Sequence, residues 1–548
     1  MNSALATRDV GAPLLLLLRP SASLALPGRR RANSGVDRAR LKGRGTAMTS
    51  LWLDAREASA AASPDEFTPG NSYDVVVVGA GITGLATALM LARTGSNVLV
   101  LEARHIGAVN TGNTTAKLSL LQGTTLSRLR NQYSVNVVRA YVDANRAGQR
   151  WLLEYLEGRG VPFQYRDAYT FATTPTGAEH LVTEANVCRA AGLNVKSTRE
   201  TGLPFDVDAA LRLPKQAQFN PMDVLDALAA DVRAAGGSIV EGIRVMNVRN
   251  GDPLTVVTRK GEVRARYVVL ATGTPILNRG LYFAKLRPNR SYAAALRLPD
   301  GMSPPPGMYL SAEPPTRSIR DYPLPDGGAL LLVGGFGHAG GRAPSTQVHV
   351  NELLGWAQQH YPGAEVTHTW SAQDYQAGNL MPFFGKFPRG HGKIFFGTGY
   401  NKWGMTNGVA AALDVTADIR GEKLEWAHTI HRRVTGPRGA ASTISLNVET
   451  QQQNFRDKAA LKEKPAITEE TDPAEGTGVT GLFHGKPAAI CTVDGVVCRV
   501  SAECAHLGGI LHWNDAEKSW DCPLHGSRYS AAGKLLEGPA THNLFKLQ

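Results

Sequence analysis

Two pairs of side chains near the C-terminal end constrain the fold of this chain more than any other feature. Cys504 and His506 form a C-x-H pair, and Cys522 and His525 form a C-x-x-H pair after fifteen intervening residues. Thiolates and imidazoles are ligands for zinc and for iron. The four residues therefore predict a metal site, and the C-terminal part of the chain must bring two loops to one point to build it.

The residues around the two pairs resemble the Rieske [2Fe-2S] signature. Pro523 lies within the second pair, which is followed by Gly526, Ser527, Arg528 and Tyr529. In that family two cysteines hold one iron and two histidines hold the other, and the neutral imidazoles make the cluster easier to reduce than an all-cysteine one. The resemblance implies that Ser527 and Tyr529 hydrogen-bond to cluster sulfurs and that a loop at residues 538–540 shields the cluster from solvent.

The chain differs from respiratory-type Rieske domains at one point. Those domains carry an extra cysteine in each loop and join the two by a disulfide, whereas this chain has Gly509 and Leu524 there. The lack of a disulfide fits a reducing compartment, so we expect a cytoplasmic protein and not a subunit of a membrane cytochrome complex. A structural zinc held by two cysteines and two histidines is the alternative that the ligand set leaves open.

The positive charge of the chain is concentrated at its N-terminal end. The 548 residues carry a formal charge of +12, and nine basic residues against two acidic ones lie in residues 1–47. No basic stripe interleaved with aromatic residues follows, so we expect no nucleic-acid partner. The apolar run at residues 14–18 is too short for a secretory signal or a bilayer span, and no transmembrane segment is predicted.

The same N-terminal stretch has two interpretations. Residues 1–47 are either a transit-type peptide or sequence upstream of a start at Met48, and in both cases we expect them to be disordered and without a role in function. Residues 48–71 then form an N-terminal extension before the first domain.

A strand, a glycine-rich turn and a helix follow this extension. The motif G-x-G-x-x-G lies between a β-branched run and a helical stretch, and a second strand closes with an acidic residue. This order predicts a dinucleotide site, with the pyrophosphate at the helix N-terminus and the acid on the ribose hydroxyls. The parts are a strand at residues 75–78, Gly79, Gly81 and Gly84, a helix at residues 85–94, a strand at residues 97–101, and Glu102.

A second G-x-G-x-x-G match is a decoy. Gly335, Gly337 and Gly340 follow a strand at residues 330–333, but Arg342, Ala343 and Pro344 come next and no helix can begin there. We therefore reject it as a nucleotide site. The rejection argues against a reductase with separate FAD and NAD(P)H domains.

Later segments resemble the glycine oxidase and D-amino-acid oxidase class of flavoproteins. Residues 267–270 and 394–396 are apolar strands that run into glycine-containing turns, as the returning strands of that class do. The resemblance implies FAD, with the N-terminus of a helix near Met405 and Thr406 at the flavin pyrimidine, where its dipole stabilises negative charge. It also implies that residues 112–117 pack along the flavin. The alternative interpretation of these residues is an ordinary polar loop.

The helix at residues 222–235 and the strand at residues 237–248 complete this resemblance, because the strand would bring Val245 to the adenine. The FAD-contacting residues implied together are Gly79, Gly81, Ile82, Thr83, Gly84, Glu102, Ala103, Arg104, Thr114, Thr115, Lys117, Val245, Gly273, Gly399, Trp403, Met405 and Thr406.

Two segments interrupt the nucleotide-binding strands and should face the substrate, residues 124–218 and residues 275–390. A helix is predicted at about residues 135–157, and strands at residues 166–173 and 293–298. We assign no catalytic residue, since this class can take hydride from a carbon next to nitrogen without an essential acid or base. Candidates that line the flavin pocket, each of which could instead pack in the core, are Tyr169, His338, Trp370, Tyr400 and Trp403.

The C-terminal part begins with a polar stretch. Residues 426–476 are predicted to be a linker, and the Rieske domain follows at residues 477–548. Its strands at residues 489–493 and 496–500 flank a two-residue turn at Asp494 and Gly495. That turn sets Cys491 opposite Cys498; a disulfide is conceivable there, but we expect two thiols.

The predicted fold class is therefore an α/β FAD-binding Rossmann-like domain at residues 72–425 with an inserted α+β substrate domain, followed by a small all-β Rieske domain. This order resembles a bacterial family of DadA- and glycine oxidase-like FAD-dependent oxidoreductases with a C-terminal Rieske domain. The resemblance implies oxidation of an amine or amino-acid-like substrate, with electrons passing through the [2Fe-2S] cluster to a carrier protein or quinone. Electron flow in the reverse direction towards a partner oxygenase, and a redox sensor without turnover, are the alternatives.

Overall fold

The computed structural model describes residues 48–57, 65–325 and 327–547. The predicted leader at residues 1–47 lies outside this described part. None of the described helices is long and apolar enough to span a membrane.

The secondary structure alternates between helices and strands up to residue 420 and is almost entirely strands after residue 477. The helices are α1 (Leu51–Glu57), α2 (Ile82–Ala92), α3 (Thr125–Arg130), α4 (Val135–Arg159), α5 (Pro175–Ala190), α6 (Pro221–Ala234), α7 (Gln347–His360), α8 (Gly404–Arg420), α9 (Glu425–His431) and α10 (Pro437–Glu463). Short 3-10 helices lie at Thr111–Asn113, Asn278–Gly280 and Tyr282–Lys285.

The strands of the first half are β1 (Ser72–Val78), β2 (Val98–Leu101), β3 (Lys117–Leu118), β4 (Phe163–Ala172), β5 (Lys196–Thr198), β6 (Ala209–Phe219), β7 (Ser238–Val240), β8 (Val245–Arg249), β9 (Leu254–Thr258) and β10 (Gly261–Leu270). Those of the middle are β11 (Leu286–Arg297), β12 (Gly307–Ser311), β13 (Arg317–Pro323), β14 (Ala329–Ala339), β15 (Glu365–Ala377), β16 (Phe383–Lys386) and β17 (Ile394–Thr398). The last are β18 (Gly478–Phe483), β19 (Lys486–Val493), β20 (Val496–Ser501), β21 (His512–Asn514), β22 (Ser519–Asp521), β23 (Arg528–Ser530) and β24 (Leu535–Glu537).

The first sheet is the predicted nucleotide-binding sheet. Its central strands run parallel in the order β17-β10-β1-β2-β7, with β16 antiparallel at one edge and the hairpin β8-β9 attached to β10. Val75, Val76 and Val77 are fully buried, as expected for a parallel sheet that is covered on both faces. The Rossmann-like prediction is confirmed.

Helices α2 and α8 pack on this sheet, and α4 packs closely against α8. A Cβ atom added to Gly408 would lie 2.6 Å from Thr83 Oγ1, and one added to Gly148 would lie 2.4 Å from the Thr406 carbonyl oxygen. The missing side chains therefore let α8 approach both α2 and α4. This close packing fixes the N-terminus of α8 beside that of α2.

One sequence prediction about this sheet is wrong. Residues 237–248 were expected to form a single strand, but the chain forms β7 beside β2 and then turns at Gly242, whose φ is +74°, before β8. A turn interrupts the run because β7 must pair in parallel with β2 while β8 pairs antiparallel with β9. Val245, at the start of β8, still returns to the sheet.

The second sheet, here called the substrate sheet, comes from the two interrupting segments. Its order is β15-β11-β14-β13-β12-β4-β6-β3, with β5 on β6, and all its pairings are antiparallel except β12 with β4. One face packs with the core of the predicted FAD-binding domain (residues 72–425), here called the flavin domain, through Ala293 and Trp370. The other face is covered by α7 through Val350 and Leu353. The inserted α+β domain is thereby confirmed.

The stretch predicted to be a linker is mostly helical. Helix α10 takes up residues 437–463, and its side chains contact both domains. Asn447 Nδ2 donates to the Ala284 carbonyl oxygen at 2.7 Å, and Asp457 lies 3.1 Å from His512. This helix is hard to predict from sequence because it is polar on most of its surface, with Leu446 and Leu461 among its few buried side chains.

The C-terminal domain consists of two small antiparallel sheets, β18-β19-β20 and β21-β22-β23-β24. Its hairpin has the predicted register, since Val493 pairs with Val496 and Cys491 pairs with Cys498. All the cysteines of the chain lie in the described residues, and all are free thiols. The small all-β domain of the prediction is confirmed.

Candidate functional site

The turn between β1 and α2 has the backbone geometry of a dinucleotide-binding loop. Gly79 has a φ of +108°, and a Cβ atom there would lie 2.4 Å from the Ala271 carbonyl oxygen. A Cβ atom at Gly84 would lie 1.9 Å from the Gly79 carbonyl oxygen. Larger residues would therefore separate β1 from β10 and α2 from the turn, which is the physical reason for glycine at these two positions.

Glu102, at the end of β2, is held in place by the backbone. Its carboxylate accepts hydrogen bonds from the Ala80 N–H at 2.9 Å and the Arg104 N–H at 2.8 Å. This arrangement points the acid at the mouth of the glycine turn. A ribose diol is the group that such a carboxylate binds in nucleotide sites.

Two helices begin at this place without a side-chain cap. The N-cap residues are Gly81, which has no side chain, for α2 and Trp403, whose side chain accepts no hydrogen bond from its helix, for α8; of the first N–H groups of α2, that of Ile82 donates to Thr111 Oγ1 at 3.2 Å. No acidic residue lies in the first turn of either helix. The positive ends of both helix dipoles are thus available to a ligand, as a pyrophosphate and a flavin pyrimidine require.

A cavity of about 960 Å³ extends from the glycine turn to the substrate sheet. Every FAD-contacting residue implied by the sequence lines it, except Gly84 and Thr406. Gly84 instead packs behind the turn. The Thr406 hydroxyl donates to Asn145 Oδ1 at 2.5 Å within a buried network that also holds Gln122 and Asn407.

Three of the five predicted pocket residues line this cavity, namely Trp370, Tyr400 and Trp403. Tyr169 and His338 lie outside the lining, and for these two the prediction is wrong. Tyr169 stacks on Tyr309 with ring centroids 4.9 Å apart. His338 stacks on His349 at 4.5 Å and accepts a hydrogen bond from the Tyr292 hydroxyl. Both side chains are fixed by aromatic partners away from the flavin-facing side of the substrate sheet.

Residues far apart in the sequence support the loop at residues 112–117. Trp52 Nε1, from the N-terminal extension, donates to the Thr114 carbonyl oxygen at 2.8 Å, and Trp370 Nε1 donates to the Asn113 carbonyl oxygen at 2.9 Å. Arg320 is fully buried and donates to the carbonyl oxygens of Thr115 and Ala116. Burial lowers the pKa of Arg320 to about 10. Sequence reasoning missed these supports, since a single arginine or tryptophan carries no motif.

Lys117 projects from β3 into the cavity. Its ammonium nitrogen hydrogen-bonds to the Ser318 hydroxyl. Burial, with a smaller contribution from Arg320, lowers the pKa of Lys117 to about 7. Among the described residues no carboxylate lies within 4.0 Å of this nitrogen. Lys117 can therefore exist as a neutral amine near pH 7 and accept a proton from a bound ligand.

The two ligand pairs of the C-terminal domain lie in two similar loops. The Cys504 N–H donates to the Gly509 carbonyl oxygen and the Cys522 N–H to the Ser527 carbonyl oxygen, each at 2.8 Å. A hydrogen bond from Cys522 lowers the pKa of Cys504 to about 6. The Tyr529 hydroxyl lies 3.4 Å from the Cys504 sulfur, which agrees with the sulfur contact implied for it.

The arrangement of the ligands favours a two-iron cluster over zinc. The thiols of Cys504 and Cys522 pair with each other, and the rings of His506 and His525 lie 5.1 Å apart. A [2Fe-2S] cluster takes two protein ligands on each iron, whereas a structural zinc takes four. The pattern of two pairs fits the cluster.

The state of the histidines agrees with a metal-binding role. His506 Nδ1 is buried and has no hydrogen-bond partner among the described residues. Burial lowers the pKa of His506 to about 4 and that of His525 to about 3. Both imidazoles are thus neutral at pH 7, as metal ligands must be. Where respiratory-type domains have a disulfide, Gly509 and Leu524 are in direct contact.

Buried charges fix the C-terminal domain on the substrate sheet. Arg290 of β11 is 1% exposed and lies 2.7 Å from Glu517, which also lies 3.0 Å from Arg528. Asp521 and Glu537 complete the network around Arg528. A second contact joins Thr346, before α7, to Asp515: the Thr346 N–H donates to this carboxylate at 2.7 Å.

The C-terminal domain also forms part of the cavity wall. Leu536, Glu537 and Gly538 line the cavity. The Tyr375 hydroxyl, which lines the cavity from β15, donates to the Gly538 carbonyl oxygen at 3.1 Å. Two residues earlier, Gln373 Nε2 donates to the Gly526 carbonyl oxygen at 2.6 Å, next to His525. One strand therefore contacts both the cavity and the cluster loops.

Comparison with known proteins agrees with both sites. Residues 74–418 match the family DAO, FAD dependent oxidoreductase, and residues 464–548 match the Rieske [2Fe-2S] domain. The chain belongs to the DAO family. It is a DAO-family protein with a C-terminal Rieske domain, and its cofactors are FAD and a [2Fe-2S] cluster.

Relatives of this DAO-family protein match different shares of the chain. The chain is 29% identical over 475 residues to YhfW of Bacillus subtilis (strain 168), described as a Rieske 2Fe-2S iron-sulfur protein, with 85% of this chain and 92% of YhfW covered. It is 25% identical over 397 residues to gamma-glutamylputrescine oxidoreductase of Escherichia coli (strain K12), covering 66% of this chain and 88% of that protein.

Glycine oxidase from Geobacillus kaustophilus has the same fold as the DAO part. Its crystal structure superposes with a TM-score of 0.56 at 21% identity and covers 66% of this chain and 100% of the oxidase. The Rieske match at residues 464–548 lies outside the DAO match at residues 74–418.

Proposed function

We propose that this protein oxidises the C–N bond of an amine or amino-acid-like substrate and passes the electrons through its Rieske site to a carrier protein or a quinone. FAD supplies an acceptor that takes two electrons and releases them singly, and a [2Fe-2S] cluster takes up one electron at a time. The residues of the chain would bind these groups, and Lys117 would accept the proton that the substrate releases.

The observation that carries the proposal is the wall shared by the two sites. Gly538 lines the cavity and accepts the hydrogen bond from Tyr375, and two residues later the Ala540 N–H donates to Ser527 Oγ, next to the second ligand pair, at 3.0 Å. Short, bonded connections of this kind favour electron transfer within one chain. These shared contacts support electron transfer between FAD and the [2Fe-2S] cluster.

The class of substrate is supported by the relatives and by the cavity. Gamma-glutamylputrescine oxidoreductase and glycine oxidase are named for an amine and an amino acid. Lys117 offers a neutral nitrogen in the cavity near pH 7. An amine must lose a proton before its carbon can release hydride, and Lys117 Nζ is placed to accept that proton.

The location and the acceptor follow from the C-terminal domain. The free thiols and the packed contact of Gly509 with Leu524 support a reducing compartment, and we propose the cytoplasm. A carrier protein or a quinone is proposed as acceptor because the cluster releases one electron at a time, and a one-electron carrier, or a quinone reduced in two single steps, can take up electrons in that way.

An anaerobic titration of the purified full chain tests this function. We expect a panel of amines and amino acids to include one that bleaches the flavin absorption and then produces the electron paramagnetic resonance signal of the reduced cluster. Reduction of the cluster by an external donor, followed by reduction of the flavin, would instead support the reverse direction of flow. If dithionite reduces both groups and no amine or amino acid reduces either, the proposed oxidation is wrong and a sensor becomes the better explanation.

A further inference from the structure

A side chain of the flavin domain contacts one of the cluster histidines. Asn278 Oδ1 lies 2.9 Å from His506 Nε2, although the two residues are 228 positions apart. The ring of Phe283 lies edge-on to both histidines, with centroids 5.3 Å from His506 and 5.0 Å from His525. The outer edge of the cluster site thus faces the segment at residues 278–285.

The backbone of residues 278–285 is strained between Asn278 and Phe283, the two residues that contact the cluster histidines. Leu281 separates the two 3-10 turns, has a φ of +51° and is 56% exposed. A left-handed conformation is unfavourable for a bulky residue, and such positions cluster at functional sites. The segment is held from behind, since the ring of Tyr282 lies 4.4 Å from that of Phe396. The strained turn therefore has fixed neighbours on both sides.

The chemistry of the two nitrogens of His506 makes the contact specific. Nδ1 is buried without a partner among the described residues, which leaves it for iron. A neutral imidazole that binds metal through Nδ1 carries its proton on Nε2 and donates a hydrogen bond there. The amide oxygen of Asn278 is the matching acceptor. Such partners of metal-bound histidines orient the ring and increase its basicity.

We propose that Asn278 is a positioning residue of the [2Fe-2S] site, which fixes the ring of His506, lowers the midpoint potential of the cluster and closes Nε2 to outside partners. An acceptor bonded to Nε2–H increases electron donation from the ring to its iron, and this stabilises the oxidised cluster. The inference depends on the cluster but not on the substrate or the direction of electron flow.

Three variants of the holoprotein test the role of Asn278. In Asn278→Ala the acceptor is lost, so the midpoint potential should rise above that of the wild type. In Asn278→Asp a charged acceptor replaces the amide, so the potential should fall below it. Asn447→Ala is the matched control, because Asn447 donates to the carbonyl oxygen of Ala284 in the same segment without contacting a ligand. This control should keep the wild-type potential.

The potentials are measured by a dithionite titration with mediators at a fixed pH, followed by electron paramagnetic resonance, with iron and sulfide content determined for each protein. No organic substrate is added, so failure of the proposed amine oxidation does not affect the result. Equal potentials in the wild type and both Asn278 variants would overturn the proposal, as would an equal shift in Asn447→Ala. If Asn278→Ala loses its iron, the midpoint potentials of Asn278→Asp and the wild type are compared. A lower potential in Asn278→Asp supports the proposal, and an equal potential overturns it.

Discussion

The flavin cavity and one face of the Rieske domain both lie beside buried cations. That face packs on the substrate sheet and is here called the docking face; it contains Glu517, Asp521, Arg528 and Glu537, and only there are the cations paired with carboxylates. Around the cavity, burial lowers the pKa of Lys117 to about 7 and that of Arg320, which lies behind the loop at residues 112–117, to about 10, and among the described residues neither forms an ion pair with a carboxylate. On the docking face, burial alone would lower the pKa of Arg528, yet Glu517, Asp521 and Glu537 raise it well above its usual range.

This difference separates a reactive site from a structural one. Unpaired buried cations are costly to the fold and are kept where a ligand can use them. Paired cations hold two surfaces together, and their charges are already neutralised. We therefore expect changes in the cavity to affect chemistry and changes on the docking face to affect stability.

The largest expected effect is on the docking face. Replacing Glu517 by alanine leaves Arg290 and Arg528 buried with one carboxylate fewer, and this should lower the free energy of unfolding by about 3–5 kcal/mol. Urea denaturation followed by flavin fluorescence measures the change. Burial would raise the pKa of Glu517, but Arg290 and Arg528 outweigh it and lower the pKa. The stabilisation is therefore complete above the usual pKa of glutamate and is lost as the pH falls through the lowered value. If Glu517→Ala still lowered the free energy of unfolding by the full amount at a pH below the lowered pKa of Glu517, the role assigned to this carboxylate would be wrong.

The next effect concerns the cavity. Lys117→Met removes the proposed proton acceptor, so substrate-driven flavin reduction at pH 8 should slow by about 10²-fold. In the wild type the rate should rise as the pH increases through about 7, because Lys117 becomes neutral there. Stopped-flow absorbance over a range of pH measures both quantities.

The control for this variant is dithionite reduction, which should bleach the flavin of Lys117→Met to the same extent as that of the wild type. Its thermal stability should not fall, because an unpaired buried charge is removed. An unchanged pH profile in Lys117→Met would show that another group accepts the proton.

A smaller effect is expected where the two regions meet. Tyr375→Phe removes the hydrogen bond to the Gly538 carbonyl oxygen, at a cost of about 1 kcal/mol in the free energy of unfolding. The appearance of reduced cluster after flavin reduction should become slower, while flavin reduction itself keeps its rate. Rapid-freeze electron paramagnetic resonance measures the first and stopped-flow absorbance the second. Equal rates of cluster reduction in the variant and the wild type would exclude this contact from the electron path.

The smallest effect is expected for an ion pair at the rim of the same interface. Glu449 of α10 pairs with Arg287, and both side chains are about 40% exposed. Glu449→Ala should therefore change the free energy of unfolding by no more than about 1 kcal/mol. It is the matched control for Glu517→Ala in the same denaturation experiment. A loss as large as that of Glu517→Ala would show that burial is not what distinguishes the two carboxylates.

Local sequence patterns predicted the parts of this protein whose geometry depends on neighbours in the chain. The glycine turn at Gly79, the cluster loops at Cys504 and Cys522, and the pairing of Cys491 with Cys498 each depend on spacing over a few residues. The strand at residues 237–248 was predicted wrongly because its pairing partners, β2 and β9, are not encoded in its own pattern.

The placement of Tyr169 and His338 failed for a related reason. An aromatic residue in a strand can face either side of a sheet, and only the neighbouring elements decide which side carries the ligand. Helix α10 was interpreted as a linker since its polar surface lacks a wide apolar stripe, and its stability comes from contacts with both domains.

The sequence by itself determined the two cofactors and the order of the domains, because metal ligands and a phosphate-binding turn need particular residues at fixed spacing. Only the tertiary structure decided how the two sites are joined. The pairs Arg290 with Glu517 and Asn278 with His506 are separated by 227 and 228 positions, and no local pattern connects them. The environment of Lys117 likewise depends on strands from three parts of the chain. Burial and long-range contact set these charges and hydrogen bonds, so they exist only once the chain has folded.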